Sequence, residues 1–99
     1  MFIHVALFQI KPKEVAKYRQ DSLMWAGFTK KAKGFAAYFT MKRYGYPNQY
    51  ASVYEWDKKS DHDRFMRKYH DWLVGKSKAK VKVLGYYNLK GIDRISKKT

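Results

Sequence analysis

The chain has no cysteine among its 99 residues. Disulfides, thiolate metal sites, iron–sulfur clusters and a cysteine nucleophile are therefore excluded. Acidic residues are scarce: 8 Asp and Glu stand against 22 Lys and Arg, a formal net charge of +14 with a pI near 10.0. No apolar run approaches the roughly 20 residues that a membrane-crossing helix needs. The first residues lack the basic region and small-residue cleavage site of a secretory signal. No phosphate-binding loop, dinucleotide fingerprint or His-Glu-x-x-His pattern occurs. The expectation is a cytoplasmic protein with no membrane partner.

What is abundant is aromatic. Nine Tyr, six Phe and three Trp make 18% of the chain, and 45% is hydrophobic. At this length one domain is expected, with a marginal core unless a partner covers one face. Aromatic side chains dominate cores and interfaces, so some of these rings belong at a subunit interface or around a cavity. A basic surface attracts nucleic acid, anionic membranes or anionic small molecules. Here the basic residues are dispersed: Lys30, Lys31 and Lys33, then Arg64, Arg67 and Lys68, then residues 76–82 and the tail. Dispersal suits a solubilising surface as well as it suits an anionic partner.

Four strands and two helices can be read in order. Residues 2–10 are almost continuously apolar, which predicts a central strand covered on both faces. A helix is expected over 13–32, with Val15, Tyr18, Ser22, Trp25, Ala26 and Thr29 on one face and Gly34 just past its end. Residues 35–43 and 49–56 read as a hairpin around the turn residues 44–48. Ser60 is expected to cap a second helix, with Asp61 and Asp63 favouring its positive end. Its apolar stripe runs His62, Phe65, Tyr69, Trp72, and Gly75 is expected to end it. Residues 81–89 form a last strand. This gives a domain over 1–89 and a basic tail over 90–99.

The order β-α-β-β-α-β predicts an α+β, ferredoxin-like domain: an antiparallel sheet with both helices on one face. Aromatics on both parities of the hairpin strands leave the second sheet face needing cover. The economical cover is a second copy, a homodimer joined through its sheet faces. The element order, Lys33-Gly34-Phe35, and Tyr54-Glu55-Trp56-Asp57 before the second helix resemble the dimeric α/β-barrel family related to antibiotic-biosynthesis monooxygenases and haem-degrading monooxygenases. The resemblance covers residues 1–89. It implies a pocket between sheet and helices in which an aromatic quinol- or anthrone-like substrate is deprotonated and its anion reacts with dioxygen, with no tightly bound cofactor. The haem-degrading branch would need an Asn on the first strand and a His after the helix Trp. Gln9 is the nearest polar substitute for the Asn, and no His follows Trp72, so haem is possible but unsupported.

By that resemblance Trp56, Phe65, Tyr69 and Trp72 are the expected substrate-binding wall, with Trp25, Tyr38 and Tyr54 as further material. His4, inside an apolar strand, and His62 are the candidate catalytic bases, since an imidazole titrates near neutrality. His4 has a plainer reading as a hydrogen-bonded core residue. His62 and His70 stand about 80° apart around their helix and make no metal pair. Glu55 is expected on the face opposite Tyr54 and Trp56 in an ion pair. Arg43 with Tyr44, and Tyr87 with Asn88, are outer candidates for polar contacts. The rival reading is a non-enzymatic basic dimer that binds an anionic ligand or nucleic acid by stacking and phosphate contacts. The RNA-recognition signature is broken after Lys33-Gly34-Phe35 and falls before the wrong strand. A dimer whose pocket is filled by its own aromatics is the third possibility.

Overall fold

Alternation along the first strand sets the layout. In the computed structural model, which describes residues 1–98, β1 (Phe2–Gln9) buries Phe2, His4 and Ala6 and leaves Ile3, Val5 and Leu7 partly covered on the other face. The remaining elements are a 3-10 turn (Pro12–Glu14), α1 (Val15–Thr29), β2 (Phe35–Lys42), β3 (Gln49–Trp56), α2 (Lys59–Lys76) and β4 (Lys82–Lys90). The sheet order is β2-β3-β1-β4 with every pairing antiparallel, so the most apolar strand is central, as its sequence predicts. Of the tail expected over 90–99, Lys90 still belongs to β4 and Thr99 lies outside the described residues.

Both helices lie on the face that Phe2 and Trp56 present. These two side chains form a buried cluster with Phe65 and Leu73 of α2, against which Met24, Trp25 and Phe28 of α1 pack. Gly34, in the turn after α1, has φ +83, a left-handed conformation that an L side chain enters at a cost of about 1–2 kcal/mol. A Cβ there would also sit 2.0 Å from Oδ2 of the buried Asp61. The carbonyl of Gly34 accepts the Asp57 N–H at 2.7 Å, which ties the start of β2 to the end of β3.

Both expected limits of α2 move. Helical backbone begins at Lys59 with Lys58 as the N-cap, so Ser60 is already in the first turn and caps nothing. The Lys58 carbonyl takes the Asp61 and His62 N–H groups instead. Gly75 lies inside the helix and does not take the left-handed conformation of a C-terminal glycine. Ser77 supplies the stop: its hydroxyl and N–H both donate to the Leu73 carbonyl, at 2.8 and 3.0 Å. The helix expected over 13–32 is likewise shorter, since Pro12–Glu14 form a 3-10 turn and the chain leaves α1 after Thr29.

A strap from Ser77 to Val81 leads into β4. Its backbone N–H groups are held by two acids of the first helical region. The Asp21 carboxylate accepts from Lys78 and Ala79 at 2.8–3.0 Å, and Glu14 Oε1 accepts from Lys80 at 2.8 Å. The outer face of the sheet carries Val5, Phe39, Met41, Val53, Tyr87 and Leu89, and four of them (Phe39, Met41, Tyr87, Leu89) are about half exposed.

Candidate functional site

Inner positions of β1, β3 and β4 face α1 and α2 across a cavity of about 290 Å³, closed on one side by Ser77, Ala79 and Val81 of the strap. The volume is close to the low end of the ~300–1,000 Å³ typical of small-molecule sites. Its wall is mostly apolar. No lysine or arginine lines it.

Two histidines meet in this wall. His4 comes from β1 and His62 from the first turns of α2, and their rings lie 4.7 Å apart, tilted by 35°. His4 Nδ1 is 2.7 Å from Asn88 Oδ1, across the β1–β4 pair. An amide oxygen only accepts, so Nδ1 carries the proton. His62 Nδ1 is 3.1 Å from Asp63 Oδ1. The Asp63 carboxyl is held below its ordinary value, first by its hydrogen bond from Lys59 and then by His62, so it is an ionised acceptor. That assigns the His62 proton to Nδ1 and leaves Nε2 as a bare lone pair. His62 Nε2 is buried and has no partner, as is Trp56 Nε1, a donor in the same wall. Burial pushes the His62 pKa down, the Asp63 hydrogen bond opposes this, and His4 adds to it.

A second polar group faces the cavity farther along β3. Tyr18 Oη of α1 lies 2.6 Å from Ser52 Oγ; Tyr38 donates to the same Ser52 oxygen at 3.1 Å, and Thr40 donates to Tyr38 at 3.1 Å. Burial pushes the Tyr18 phenol up to about 12, against the lowering effect of the Ser52 hydroxyl. Burial also raises Tyr54 well above the ordinary phenol value, helped by Tyr38 and Tyr18. These phenols stay protonated at neutral pH.

Of the residues singled out in the sequence, His4, His62, Trp56 and Phe65 line this one cavity, together with Trp25 and Tyr54. Tyr69 and Trp72 do not. Tyr69 packs on Phe65 and Phe28, and Trp72 lies edge-on to Phe28 at 5.0 Å and is half exposed. That end of the α2 stripe meets α1, not the sheet. His70 reaches the cavity rim, half exposed beside Asp71 and edge-on to Trp25. Arg43 bonds Gln49 and stacks on Tyr46, and Tyr44 is fully exposed, so neither meets the cavity. Tyr87 lies on the outer face over Gly85, whereas Asn88 holds His4. Tyr18, Ser52 and Asp63 were missed as polar groups of the site. Their only signals were the place of Tyr18 on the α1 face and an isolated hydroxyl between Tyr50 and Tyr54. Among the described residues no cluster of three or more His, Asp or Glu could hold a metal ion, and no helix is long and apolar enough to cross a membrane.

No family model matches the chain, and no curated protein does. Solved structures do match its fold. SnoaB from Streptomyces nogalater, described as a cofactor-independent oxygenase, superposes with a TM-score of 0.74 over 95% of each chain at 12% identity. Rv0793 from Mycobacterium tuberculosis gives 0.73 over 96% of this chain and 98% of that one, at 13% identity. A protein named antibiotic biosynthesis monooxygenase gives 0.68 over 94% and 100%, at 15% identity. At these identities the likeness is one of fold: the ferredoxin-like α+β arrangement expected from the element order is the fold these proteins share.

Proposed function

We propose that the chain is a small oxygenase that takes a flat aromatic substrate bearing a hydroxyl group and needs no tightly bound cofactor. One observation carries the reading: an apolar cavity walled in part by His62, whose buried Nε2 lone pair has no partner. A buried acceptor without a partner costs about 1–3 kcal/mol, and a substrate O–H restores the missing bond. Trp56 Nε1, an unpartnered donor in the same wall, suits the oxygen of that hydroxyl. The description of SnoaB as a cofactor-independent oxygenase on the same fold supports the same chemistry.

In this mechanism His62 removes the hydroxyl proton, and the lowered pKa keeps the ring neutral and ready to accept it. Asp63 fixes the tautomer and stabilises the imidazolium that forms. The substrate anion gives one electron to dioxygen, and the radical and superoxide combine on carbon as a peroxide. The peroxide takes the proton back from the His62 imidazolium, and loss of water from the resulting CH₂-derived hydroperoxide leaves a carbonyl, so one oxygen atom stays on the substrate and the other leaves as water. The mostly apolar wall limits the water around these intermediates. His4 acts as a positioning residue through its ring contact with His62.

Oxygen uptake with a panel of quinols and anthrones tests the proposal. Uptake above the autoxidation rate is expected, with the enzymatic part falling about 100-fold or more in His62→Ala and less in His4→Ala. Uptake no faster than autoxidation across the panel overturns it. A second part of the proposal concerns assembly: the outer sheet face seats a second copy of the chain.

A further inference from the structure

The hydroxyl chain on the inner side of β2 and β3 leaves one hydrogen over. Thr40, Tyr38, Ser52 and Tyr18 contribute four hydroxyl hydrogens. Thr40 donates to Tyr38 and Tyr38 donates to Ser52. The 2.6 Å bond between Tyr18 and Ser52 uses one more, whichever of the two donates. The fourth hydrogen has no acceptor among these four hydroxyls. It belongs to Tyr18 or to Ser52, and both line the cavity while being only 5% and 6% exposed. Ser22 donates its own hydrogen to the Tyr18 carbonyl at 2.8 Å, and its oxygen, near enough to lower the Tyr18 pKa, is the acceptor a ligand would displace when the hydrogen sits on Tyr18.

The position of this donor matters. Ser52 is paired with Ala6, and His4 is the next inward residue along β1. The hydroxyl pair and the histidine pair are thus offset by one two-residue step, about 7 Å along the strand, the span of one substituted aromatic ring. The histidine end offers an acceptor; the hydroxyl end offers a donor.

We infer that the Tyr18–Ser52 pair is a binding site for a carbonyl oxygen conjugated, through the aromatic ring, to the hydroxyl group that His62 deprotonates. This deepens the proposed function and rests on it for the role of His62. When the proton leaves the hydroxyl, negative charge is shared through the ring with the distant carbonyl oxygen. A donor lining the cavity at that end meets charge as it develops, where a preorganised hydrogen bond is most effective. The raised Tyr18 pKa keeps the proton on the donor. Either residue alone can supply the hydrogen. If Tyr18 is lost, Ser52 still accepts from Tyr38 and its own hydrogen is free; if Ser52 is lost, the Tyr18 hydrogen is free.

Binding without turnover tests this. The probes are para-hydroxyacetophenone and para-ethylphenol, which match in shape except for the carbonyl oxygen. The wild type is expected to bind the ketone about tenfold more tightly, the worth of one buried hydrogen bond. The bound ketone should show a lowered carbonyl stretch. Tyr18→Phe and Ser52→Ala should each keep most of the preference. The double variant Tyr18→Phe/Ser52→Ala should lose it and bind the two probes about equally. Equal binding of the two probes by the wild type, or an unshifted carbonyl stretch, overturns the inference without any variant. So does a folded double variant that keeps the preference. Binding of neither probe overturns both this site and the cavity reading beneath it. Ketone preference with no oxygen uptake on the quinol panel would leave this site standing and remove the oxygenase reading alone.

Discussion

At the scale of single residues the site depends on one buried imidazole. His62 is held below its ordinary value of 6.5, chiefly by burial. The unfolded chain binds a proton near that value and the folded chain resists until lower pH. Stability from this group is therefore complete above 6.5 and is lost as pH falls through the folded pKa. Urea unfolding at about pH 7.5 and about pH 5 should show the loss, and His62→Phe should reduce the difference between them. Glu14 and Asp63 are also depressed, but from 4.5 and 3.8, so their losses come at lower pH and do not mask this window. A second residue-scale prediction concerns Gly34. Alanine there meets both the left-handed backbone and the Asp61 carboxylate. A loss of at least about 2 kcal/mol is expected in denaturant midpoints; a change within about 0.5 kcal/mol would mean that the turn and Asp61 can both shift.

At the scale of elements, the strap between α2 and β4 is the part whose removal should alter access without unfolding the sheet. Three backbone N–H groups end on Asp21 and Glu14, carboxylates more than 50 residues away in sequence. Asp21→Ala should raise amide hydrogen exchange at Lys78 and Ala79 by an order of magnitude or more, and speed probe release from the cavity. Unchanged exchange would mean the strap is held by its inward residues instead. The strap also shows what the sequence could and could not disclose. Residues 76–82 read as one of the basic stretches; nothing in their composition says that two distant acids collect their N–H groups. The strands and their order were legible, because alternation and apolarity are local. The α2 stripe was legible as a stripe, yet periodicity does not say what a stripe packs against. Phe65 meets the sheet and cavity, while Trp72, seven residues on, meets Phe28 of α1. Ser60 and Gly75 looked like helix limits for sound local reasons, but helical backbone extends past each by one residue. The histidines were legible as candidates from residue type; the hydroxyl pair of Tyr18 and Ser52 joins two elements that only the fold brings together.

At the scale of the whole molecule, the sheet has one face covered by helices and one bare. Val5 and Val53 sit at its centre, with half-exposed Phe39, Met41, Tyr87 and Leu89 around them. A contiguous apolar face of this kind on so short a chain favours burial against a second copy. The charge of +14 opposes that burial, because two such chains repel. The two effects make a joint prediction. Sedimentation should find a dimer whose dissociation constant falls as salt rises from about 0.05 to about 0.5 M, since screening weakens the repulsion and leaves the apolar contact intact. Val53→Arg should give a folded monomer at all these concentrations, with the melting of its secondary structure retained. A dissociation constant that rises with salt would point the other way, to ion pairs as the cohesive element, and the bare sheet face would then not be the interface. A monomeric wild type would remove the dimer altogether and leave the bare face without the cover proposed for it.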